Sequence, residues 1–326
     1  MTEIVPLAGV TLDPASKEDR AELDAIRGGV ITIGNFDGVH RGHVELLREV
    51  RRLADRLGGP AIAVVLDPHP ATILRPDQAP KRLTWIQRRA ELMSNHGIDA
   101  LVVCPTTSEF LKLSAESFFQ ALVVERLAAG AIVEGPNFFF GHKRGGDVAT
   151  LGRLCQDEQI ELRIIEPSEF EGEMVSSTRI RELIVGGDMA TAAALLDAPY
   201  RLRGTVVGGA RRGREIGFPT ANLSGIDVLI PGPGVYGGYA VSESPSQMAA
   251  IHIGPNPTFD CDGDLKVEVH LLDYDGDLYG QTLLLDVVLR LRDIARFDSA
   301  QSLVQQLNQD VEFIRTRLAP LRRSRG

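Results

Sequence analysis

The first half of the chain is organised around the stretch Ile31-Thr32-Ile33-Gly34-Asn35-Phe36-Asp37-Gly38-Val39-His40-Arg41-Gly42-His43. It opens in a short apolar run, residues 30–33, and such a run bounded by a turn residue predicts a buried strand. Beyond Gly42, apolar residues recur at helical spacing. The stretch therefore predicts a strand, a glycine-bearing turn and the start of a helix.

Two histidines, His40 and His43, lie three residues apart and would share one face of that helix. A helix N-terminus offers unpaired N–H groups and a favourable dipole to anions. Two imidazoles beside it suit a polyphosphate, because negative charge grows on the leaving phosphate as a P–O bond breaks. The pair alone is also compatible with solvated or structural histidines, or with half of a metal site.

Composition narrows the class of protein. The 326 residues allow one or two domains, each with its own core. The net charge of −9 argues against general nucleic-acid binding, and the clean apolar runs, such as residues 61–66, are too short to span a membrane. Three widely spaced cysteines, Cys104, Cys155 and Cys261, suit a reducing cytoplasm. We expect a cytoplasmic protein without nucleic-acid or membrane partners; the sequence does not indicate its oligomeric state.

The first half of the chain alternates strands with helices. Buried strands are predicted at residues 30–33, 61–66, 101–103 and 131–133, and helices near 17–26, 42–57, 84–96 and 115–127. The entry segment before residue 28 could add an edge strand. Such alternation predicts a parallel, Rossmann-like sheet with helices on both faces.

Polar or aromatic residues follow two of these strands, at the sheet edge where open α/β folds place ligands. Asp67-Pro68-His69-Pro70 follows the second strand, and Asn137 with the aromatic run Phe138-Phe139-Phe140 follows the fourth. The first could equally be a rigid turn with a solvated histidine, and the second a buried strand before a mobile loop.

A hydroxyl-rich segment, Ser176-Ser177-Thr178-Arg179-Ile180-Arg181, precedes a helical pattern that ends at Gly186-Gly187. Serine and threonine in this position are N-cap candidates. Hydroxyls and arginine at a helix start also suit a phosphate. The pattern alone leaves capping and phosphate binding open.

Beyond residue 199 the pattern changes to short strands, predicted at 200–207, 235–241, 249–253, 266–273 and 283–291 without helices between them. This favours an antiparallel barrel or sandwich. An amphipathic helix at 301–318 closes the chain, with its apolar side formed by Leu303, Val304, Leu307, Val311, Ile314 and Leu318. We therefore expect two domains, residues 1–186 and 187–326.

The second half carries two candidate phosphate features. A glycine-rich loop, residues 204–217, leads into Phe218-Pro219-Thr220-Ala221-Asn222. Backbone N–H groups freed by glycine, with arginine beside them, can hold phosphates, although a mobile hairpin fits equally. Further on, Glu268 and His270 lie two residues apart in a predicted strand, so their side chains share one face. A glutamate on such a face is usually solvated.

Taken together, these motifs resemble those of bacterial bifunctional riboflavin kinase/FAD synthetases. Residues 34–43 resemble the His-x-Gly-His signature of nucleotidylyltransferases, and residues 176–181 resemble the second signature of that class. The segment 218–222 resembles the riboflavin kinase signature. The resemblance covers residues 30–318 in family order. Two departures are the wholly apolar run 138–140 and Pro255, which stands where the family usually has threonine.

The resemblance implies two ATP-dependent reactions. The N-terminal α/β domain would join AMP to FMN, giving FAD and pyrophosphate, with His40 and His43 stabilising the phosphates and Arg181 neutralising charge. Nucleotide-binding positions implied there are Gly34, Asn35, Phe36, Asp37, Gly38, His69, Asn137, Ser177 and Thr178.

The C-terminal barrel would phosphorylate riboflavin to FMN, with Glu268 as base. The resemblance implies that Thr220 and Asn222 hold Mg²⁺, whose preferred ligands are oxygens. Nucleotide-binding positions implied in the barrel are Gly204, Gly208, Arg212, Gly213 and Gly217.

Two rival hypotheses remain open on the sequence. The chain could be a nucleotidylyltransferase for another small phosphate, carrying an unrelated β domain. It could also be a catalytically silent flavin or nucleotide sensor that kept the fold.

Overall fold

The computed structural model describes residues 2–6, 24–208, 213, 216–241, 247–255 and 265–323. The chain divides into two compact units, Met1–Ser176 and Ser177–Gly326. Most of the helix predicted near residues 17–26, together with Arg212 and Cys261, lies outside the described residues.

The first unit contains a six-stranded parallel sheet, as the alternation of strands and helices predicted. Its strands are ordered β1-β4-β3-β2-β5-β6, and every neighbouring pair is parallel. The bounds are β1 Glu3–Pro6, β2 Val30–Gly34, β3 Ala61–Asp67, β4 Ala100–Pro105, β5 Ala131–Glu134 and β6 Glu161–Ile164. The expected edge strand is β1. A small antiparallel pair follows, β7 Glu169–Phe170 and β8 Glu173–Met174.

Helices connect these strands. They are α1 Arg41–Leu57, α2 Pro70–Leu74, α3 Ile86–Ser94, α4 Ala115–Phe118 and α5 Val148–Asp157, with a π-helical segment, Phe119–Arg126, continuing α4. The start predicted for α4 is confirmed, because the Ser114 hydroxyl accepts the Ser117 N–H at 3.1 Å. Helix α1 is capped at its C-terminus by Gly58, whose φ of 70° is the left-handed conformation that favours glycine.

The core of the first unit forms where helix faces cover the sheet. Helix α1 buries Val44, Leu47, Val50, Leu53 and Ala54, and the first five residues of β3 are fully buried. Residues buried on both faces of a sheet give a continuous apolar run, which is why β2 and β3 could be predicted from the sequence.

The sequence did not predict β6 and α5. Strand β6 has only four residues, none of them buried. Its Glu161 carboxylate pairs with Arg56 at 2.6 Å and with Arg163 at 2.8 Å, so the strand looks like a charged loop in sequence.

The second unit contains a closed barrel of six strands in the order β10-β13-β12-β11-β14-β9, and this settles the open choice between barrel and sandwich. All of its strand pairs are antiparallel. The strands are β9 Tyr200–Val207, β10 Ala221–Ser224, β11 Gly234–Val241, β12 Gln247–Pro255, β13 Leu265–Leu271 and β14 Thr282–Arg292.

The helices in the described part of this unit include α6 Ser177–Gly186, α7 Met189–Leu195 and α8 Ala300–Arg323. The predicted amphipathic helix is α8, which buries Ile314 and Leu318 beside Tyr239. The Tyr239 hydroxyl donates to the Leu318 carbonyl at 2.6 Å, and the buried Asp310 carboxylate accepts from Arg292 at 2.7 Å. No helix in the described part of the chain has the length and apolar character needed to cross a membrane.

Candidate active sites

The strand order of the parallel sheet reverses between β2 and β5, which is where sheets of this kind form a ligand crevice. From β2, the order runs through β3 and β4 on one side and through β5 and β6 on the other, so it reverses at this pair. Open α/β sheets bind ligands at such a point, outside the carboxyl ends of the strands. The residues that follow β2 are the predicted motif, Asn35 to His43, which the structure therefore places at the expected edge.

His40 and His43 stack on one another where helix α1 begins. Their ring centroids lie 3.6 Å apart with 17° between the ring planes. His40 is the N-cap residue, and its Nδ1 accepts the His43 N–H at 3.4 Å. The pair thus lies at a helix N-terminus, where backbone N–H groups and the helix dipole favour an anion.

His43 is held in its neutral form. Burial lowers the pKa of His43 well below 6.5, and the charges of His40 and Arg89 lower that pKa further. Its Nδ1 atom is buried and has no hydrogen-bond partner among the described residues. A neutral imidazole can still donate one N–H to a phosphate oxygen. No group of three or more His, Cys, Asp or Glu side chains suited to a metal occurs within the described ranges.

A buried ion pair fixes the loop between β2 and α1. The Asp37 carboxylate accepts from the Arg89 guanidinium at 3.2 Å, and both side chains are 5% exposed. Asp37 also accepts the N–H groups of Leu83 and Thr84 at 2.9 Å. A second guanidinium nitrogen of Arg89 donates to the Asn35 carbonyl at 3.1 Å. The predicted nucleotide contact Asp37 is therefore engaged within the protein, and Arg89 is a site residue that the sequence did not indicate.

The same loop is conformationally strained. Phe36 and Val39 have φ angles of 47° and 43°, in the left-handed region, and both side chains are buried. A β-branched residue such as valine rarely adopts this conformation. Strain of this kind persists when the surrounding contacts over-determine the backbone, and it is concentrated at functional sites. Here the Asp37–Arg89 network supplies those contacts, while Gly38, with φ of 89°, adopts its conformation without strain.

The remaining nucleotide-binding residues predicted in this unit differ in burial and in hydrogen bonding. Asn35 has a buried Oδ1 atom without a hydrogen-bond partner among the described residues. His69 caps helix α2, since its Nδ1 accepts the Ala71 N–H at 3.0 Å. Asn137 is exposed in the turn that follows β5. In the aromatic run that follows, Phe140 is buried, and exposed Phe139 lies under Arg144 at 4.2 Å.

Apart from Ser176, the second nucleotidylyltransferase signature belongs to the second unit. Ser177 is the first residue of helix α6, with Thr178 and Arg181 in its first turns. Thr178 is exposed, and the other two side chains are partly buried. Their part in adenylylation stays a prediction.

In the barrel, three side chains form a row across adjacent strands. Two of them, Asn222 and Glu268, were predicted site residues, and the third is His252. Asn222 of β10 lies directly opposite Glu268 of β13, and Glu268 lies opposite His252 of β12. Directly paired residues share one face of a sheet, with Cβ atoms about 5 Å apart. The Asn222 Oδ1 atom is buried and has no hydrogen-bond partner among the described residues. An amide oxygen without a partner, beside a carboxylate, suits a hard cation.

Two further side chains fix this row. The Lys266 ammonium forms an ion pair with Glu268 at 2.7 Å. His270 Nδ1 lies 2.8 Å from the Pro219 carbonyl oxygen, to which it donates, and so ties β13 to the segment that carries Thr220. Lys266 was not predicted, although the alternation that placed Glu268 and His270 on one face places Lys266 there too.

The glycine-rich segment is shorter than predicted. Gly204 lies within β9, paired with Leu283, so the connection to β10 begins only after Val207. Gly208 and Gly217 are exposed in that connection. Gly213 has a structural reason to be glycine, because a Cβ atom there would lie 2.2 Å from the Phe218 carbonyl oxygen. Arg212 is outside the described residues, as is most of the segment that follows Pro255.

Comparison with known proteins identifies both units. Residues 23–179 match the family model of FAD synthetase, and residues 196–318 match that of riboflavin kinase. The chain is 35% identical over 294 residues to the bifunctional riboflavin kinase/FMN adenylyltransferase of Pseudomonas fluorescens, with 90% of this chain and 94% of that protein covered. The protein of the same name from Escherichia coli K12 is 32% identical, with 87% and 90% covered.

The chain belongs to the bifunctional riboflavin kinase/FMN adenylyltransferase family. It phosphorylates riboflavin to FMN and adenylylates FMN to FAD, as the motifs implied. The comparisons give no support to the two rival hypotheses. A solved structure from Streptococcus pneumoniae, described as a macrolide-efflux protein, shares the fold with a TM-score of 0.82 and 30% identity, covering 96% of this chain and 98% of its own.

Removing the Arg89 side chain should destabilise the first unit. Arg89→Met leaves Asp37 buried without its cation, and breaking such a pair costs roughly 3–5 kcal/mol. Trp85, the single tryptophan of the chain, is buried one turn from Arg89 and reports on this unit alone. Urea unfolding followed by its fluorescence should show the loss. In a double-mutant cycle, Asp37→Asn with Arg89→Met should cost less than the sum of the single changes, whereas strict additivity would contradict the pairing.

The pH dependence of FAD formation should show that neutral His43 is the working form. Because the pKa of His43 is lowered, the side chain stays neutral down through pH 6.5 and is protonated only in more acidic solution. We expect no inflection from His43 near pH 6.5 in kcat/KM for FMN. The FMN phosphate itself titrates at about pH 6, so the wild-type profile is compared with that of His43→Asn, which cannot titrate. An inflection near pH 6.5 that this variant removes would contradict the account.

Proposed function

We propose that the two reactions are divided between the two halves of the chain, adenylylation in residues 1–186 and phosphorylation in residues 187–326. The ranges of the two family matches support this division. The single observation that carries it is that each half has its own phosphate-type site: the stacked His40 and His43 at the start of α1, and the Asn222–Glu268 pair of the barrel.

In the barrel, Glu268 acts as the base. It takes the proton from the ribityl 5′-hydroxyl of riboflavin as that oxygen attacks the γ-phosphorus of ATP. The bond from the γ-phosphorus to the bridging oxygen breaks, and ADP leaves. Phosphoryl transfer depends mainly on positioning and on charge stabilisation. Lys266 and the strand pairing with Asn222 hold the Glu268 carboxylate in place for this step.

Thr220 and Asn222 are the residues proposed to hold Mg²⁺. The buried, unpartnered Asn222 Oδ1 atom supports this assignment, because magnesium prefers oxygen ligands. When bound, the ion would neutralise charge on the ATP phosphates. The exposed Thr220 hydroxyl is held near this row because the Pro219 carbonyl accepts from His270.

In the first half, a phosphate oxygen of FMN attacks the α-phosphorus of ATP, and the bond to the leaving pyrophosphate breaks. His40 and His43 donate hydrogen bonds to the leaving phosphates, next to the N–H groups at the start of α1. Gly34 to Gly38 form the turn that approaches the nucleotide, and His69, Asn137, Ser177, Thr178 and Arg181 are the further contacts that the motifs imply. No covalent enzyme intermediate is required, because the FMN phosphate is itself the nucleophile.

The reducing cytoplasm is the proposed location. Cys104 and Cys155 are free and buried, and burial raises the pKa of their thiols to about 12 and about 11. Such thiols are chemically inert and serve as apolar core groups.

Two single substitutions should separate the activities. Glu268→Ala should abolish FMN formation from riboflavin, because the hydroxyl loses its base, and leave FAD formation from added FMN intact. His43→Ala should do the reverse, because the leaving pyrophosphate loses a hydrogen bond. Chromatography of flavin products, with riboflavin and FMN supplied in separate reactions, measures both. Loss of both activities in either folded variant would contradict the division between halves.

Substitution at Asn222 should change the Mg²⁺ requirement of one reaction only. Asn222→Ala removes the proposed oxygen ligand, so the Mg²⁺ concentration for half-maximal riboflavin phosphorylation should rise. Asn222→Asp is the matched control, since it keeps an oxygen at that position and should restore the requirement. FAD formation from FMN should keep its Mg²⁺ dependence in both variants. An unchanged requirement in Asn222→Ala would remove this residue from the metal site.

A further inference from the structure

The two halves of the parallel sheet separate along one line. Strand β2 pairs with β3 as far as Gly34, opposite Val65. Its pairing with β5 ends earlier, at Ile31 opposite Ile132. Strand β5 meanwhile stays paired with β6 up to its last residue, Glu134. The ladder therefore opens between β2 and β5, and this opening lies at the pair where the strand order reverses.

A side chain occupies the floor of this opening. The Ile33 N–H, which lies beyond Ile31, the last residue of β2 paired with β5, donates to the Glu134 carboxyl oxygen at 2.6 Å. The carboxyl group thus accepts an N–H that lies past the end of the β2–β5 ladder. Glu134 is 3% exposed, so the contact is shielded from water. A buried backbone N–H without an acceptor would be costly, and Glu134 supplies the acceptor.

Glu134 forms no ion pair among the described contacts. Burial raises the pKa of Glu134 well above 4.5, and the hydrogen bond from Ile33 opposes that rise only in part. Burial therefore favours the neutral form of this carboxyl group. A neutral acceptor is compatible with phosphates nearby, whereas a carboxylate at the floor of the crevice would repel them.

We propose that Glu134 is a positioning residue of the adenylyltransferase site, holding β2 and β5 apart so that the crevice can receive ATP. It acts through Ile33, which leads directly into the Gly34-Asn35 turn and so to His40. The inference rests on the proposed placement of adenylylation in the first half of the chain. It concerns a residue that no motif in the sequence indicated.

The test compares Glu134→Met, which keeps the length of the side chain but has no acceptor, with Glu134→Gln, which keeps a neutral acceptor oxygen. Glu134→Met should lower kcat/KM for ATP in FAD formation about tenfold or more, mainly through KM, because small displacements of site groups have effects of this size. Glu134→Gln should recover most of that loss. Riboflavin phosphorylation by the same preparations should be unchanged. Glu134→Leu carries the same prediction if Glu134→Met does not fold.

Cys104→Ala is the matched control for general damage to the core. Cys104 is fully buried near the carboxyl end of β4 in the same sheet, and β3 separates that strand from β2. It should leave KM for ATP unchanged. The inference is overturned if Glu134→Met keeps the wild-type kcat/KM, if Glu134→Gln is as defective as Glu134→Met, or if Cys104→Ala raises KM equally.

His43→Ala, assayed in parallel, separates this inference from the proposed function. Full FAD formation by His43→Ala would refute the placement of adenylylation itself, whatever the Glu134 variants do. If His43→Ala loses FAD formation while Glu134→Met keeps the kinetics of the wild-type enzyme, only the role of Glu134 is refuted.

Discussion

The buried ion pair between Asp37 and Arg89 is the constraint on which the first unit depends. It holds a loop that contains two residues in unfavourable backbone conformations, Phe36 and Val39. Without compensating contacts, such strain would relax into a different loop. Because Arg89 also binds the Asn35 carbonyl, the turn from β2 and the start of α1 are fixed together. The position of His40 and His43 at the helix start is a consequence of that arrangement.

In the barrel, the positions of the site residues are fixed by strand register instead of by a buried ion pair. In an antiparallel ladder, the pairing alone sets which side chains meet, and here it sets Asn222 against Glu268 and Glu268 against His252. A shift of one residue would turn Glu268 into the core and Val267 or Val269 outward. The alternation of buried valines with partly buried polar residues along β13 therefore also specifies the site.

The sequence predicted the long elements well for a physical reason. Strands β2 and β3 are buried on both faces and helix α1 on one, so their apolar patterns are strong. The five barrel strands predicted from the pattern are all present. Strand β10 was missed because it has four residues and begins inside the Phe-Pro-Thr-Ala-Asn motif, where a preceding proline and an asparagine conceal a strand pattern.

The supporting residues could not be predicted in the same way. Arg89 lies on a helix 52 residues from its partner Asp37, and an arginine on a helix is usually solvated. Glu134 ends an apolar strand and resembles the first polar residue of a loop. Only the fold shows that each is buried and which backbone group it holds. Residues that contact substrate can thus be recognised in the sequence more easily than the residues that hold those contacts in position.

The central claim is that one chain holds two separate ATP sites, each belonging to its own half. Calorimetric titration with a non-hydrolysable ATP analogue in the presence of Mg²⁺ tests this most directly. The account predicts two analogue molecules bound per chain at saturation. A stoichiometry of one would contradict it, because both reactions would then have to share a single nucleotide site.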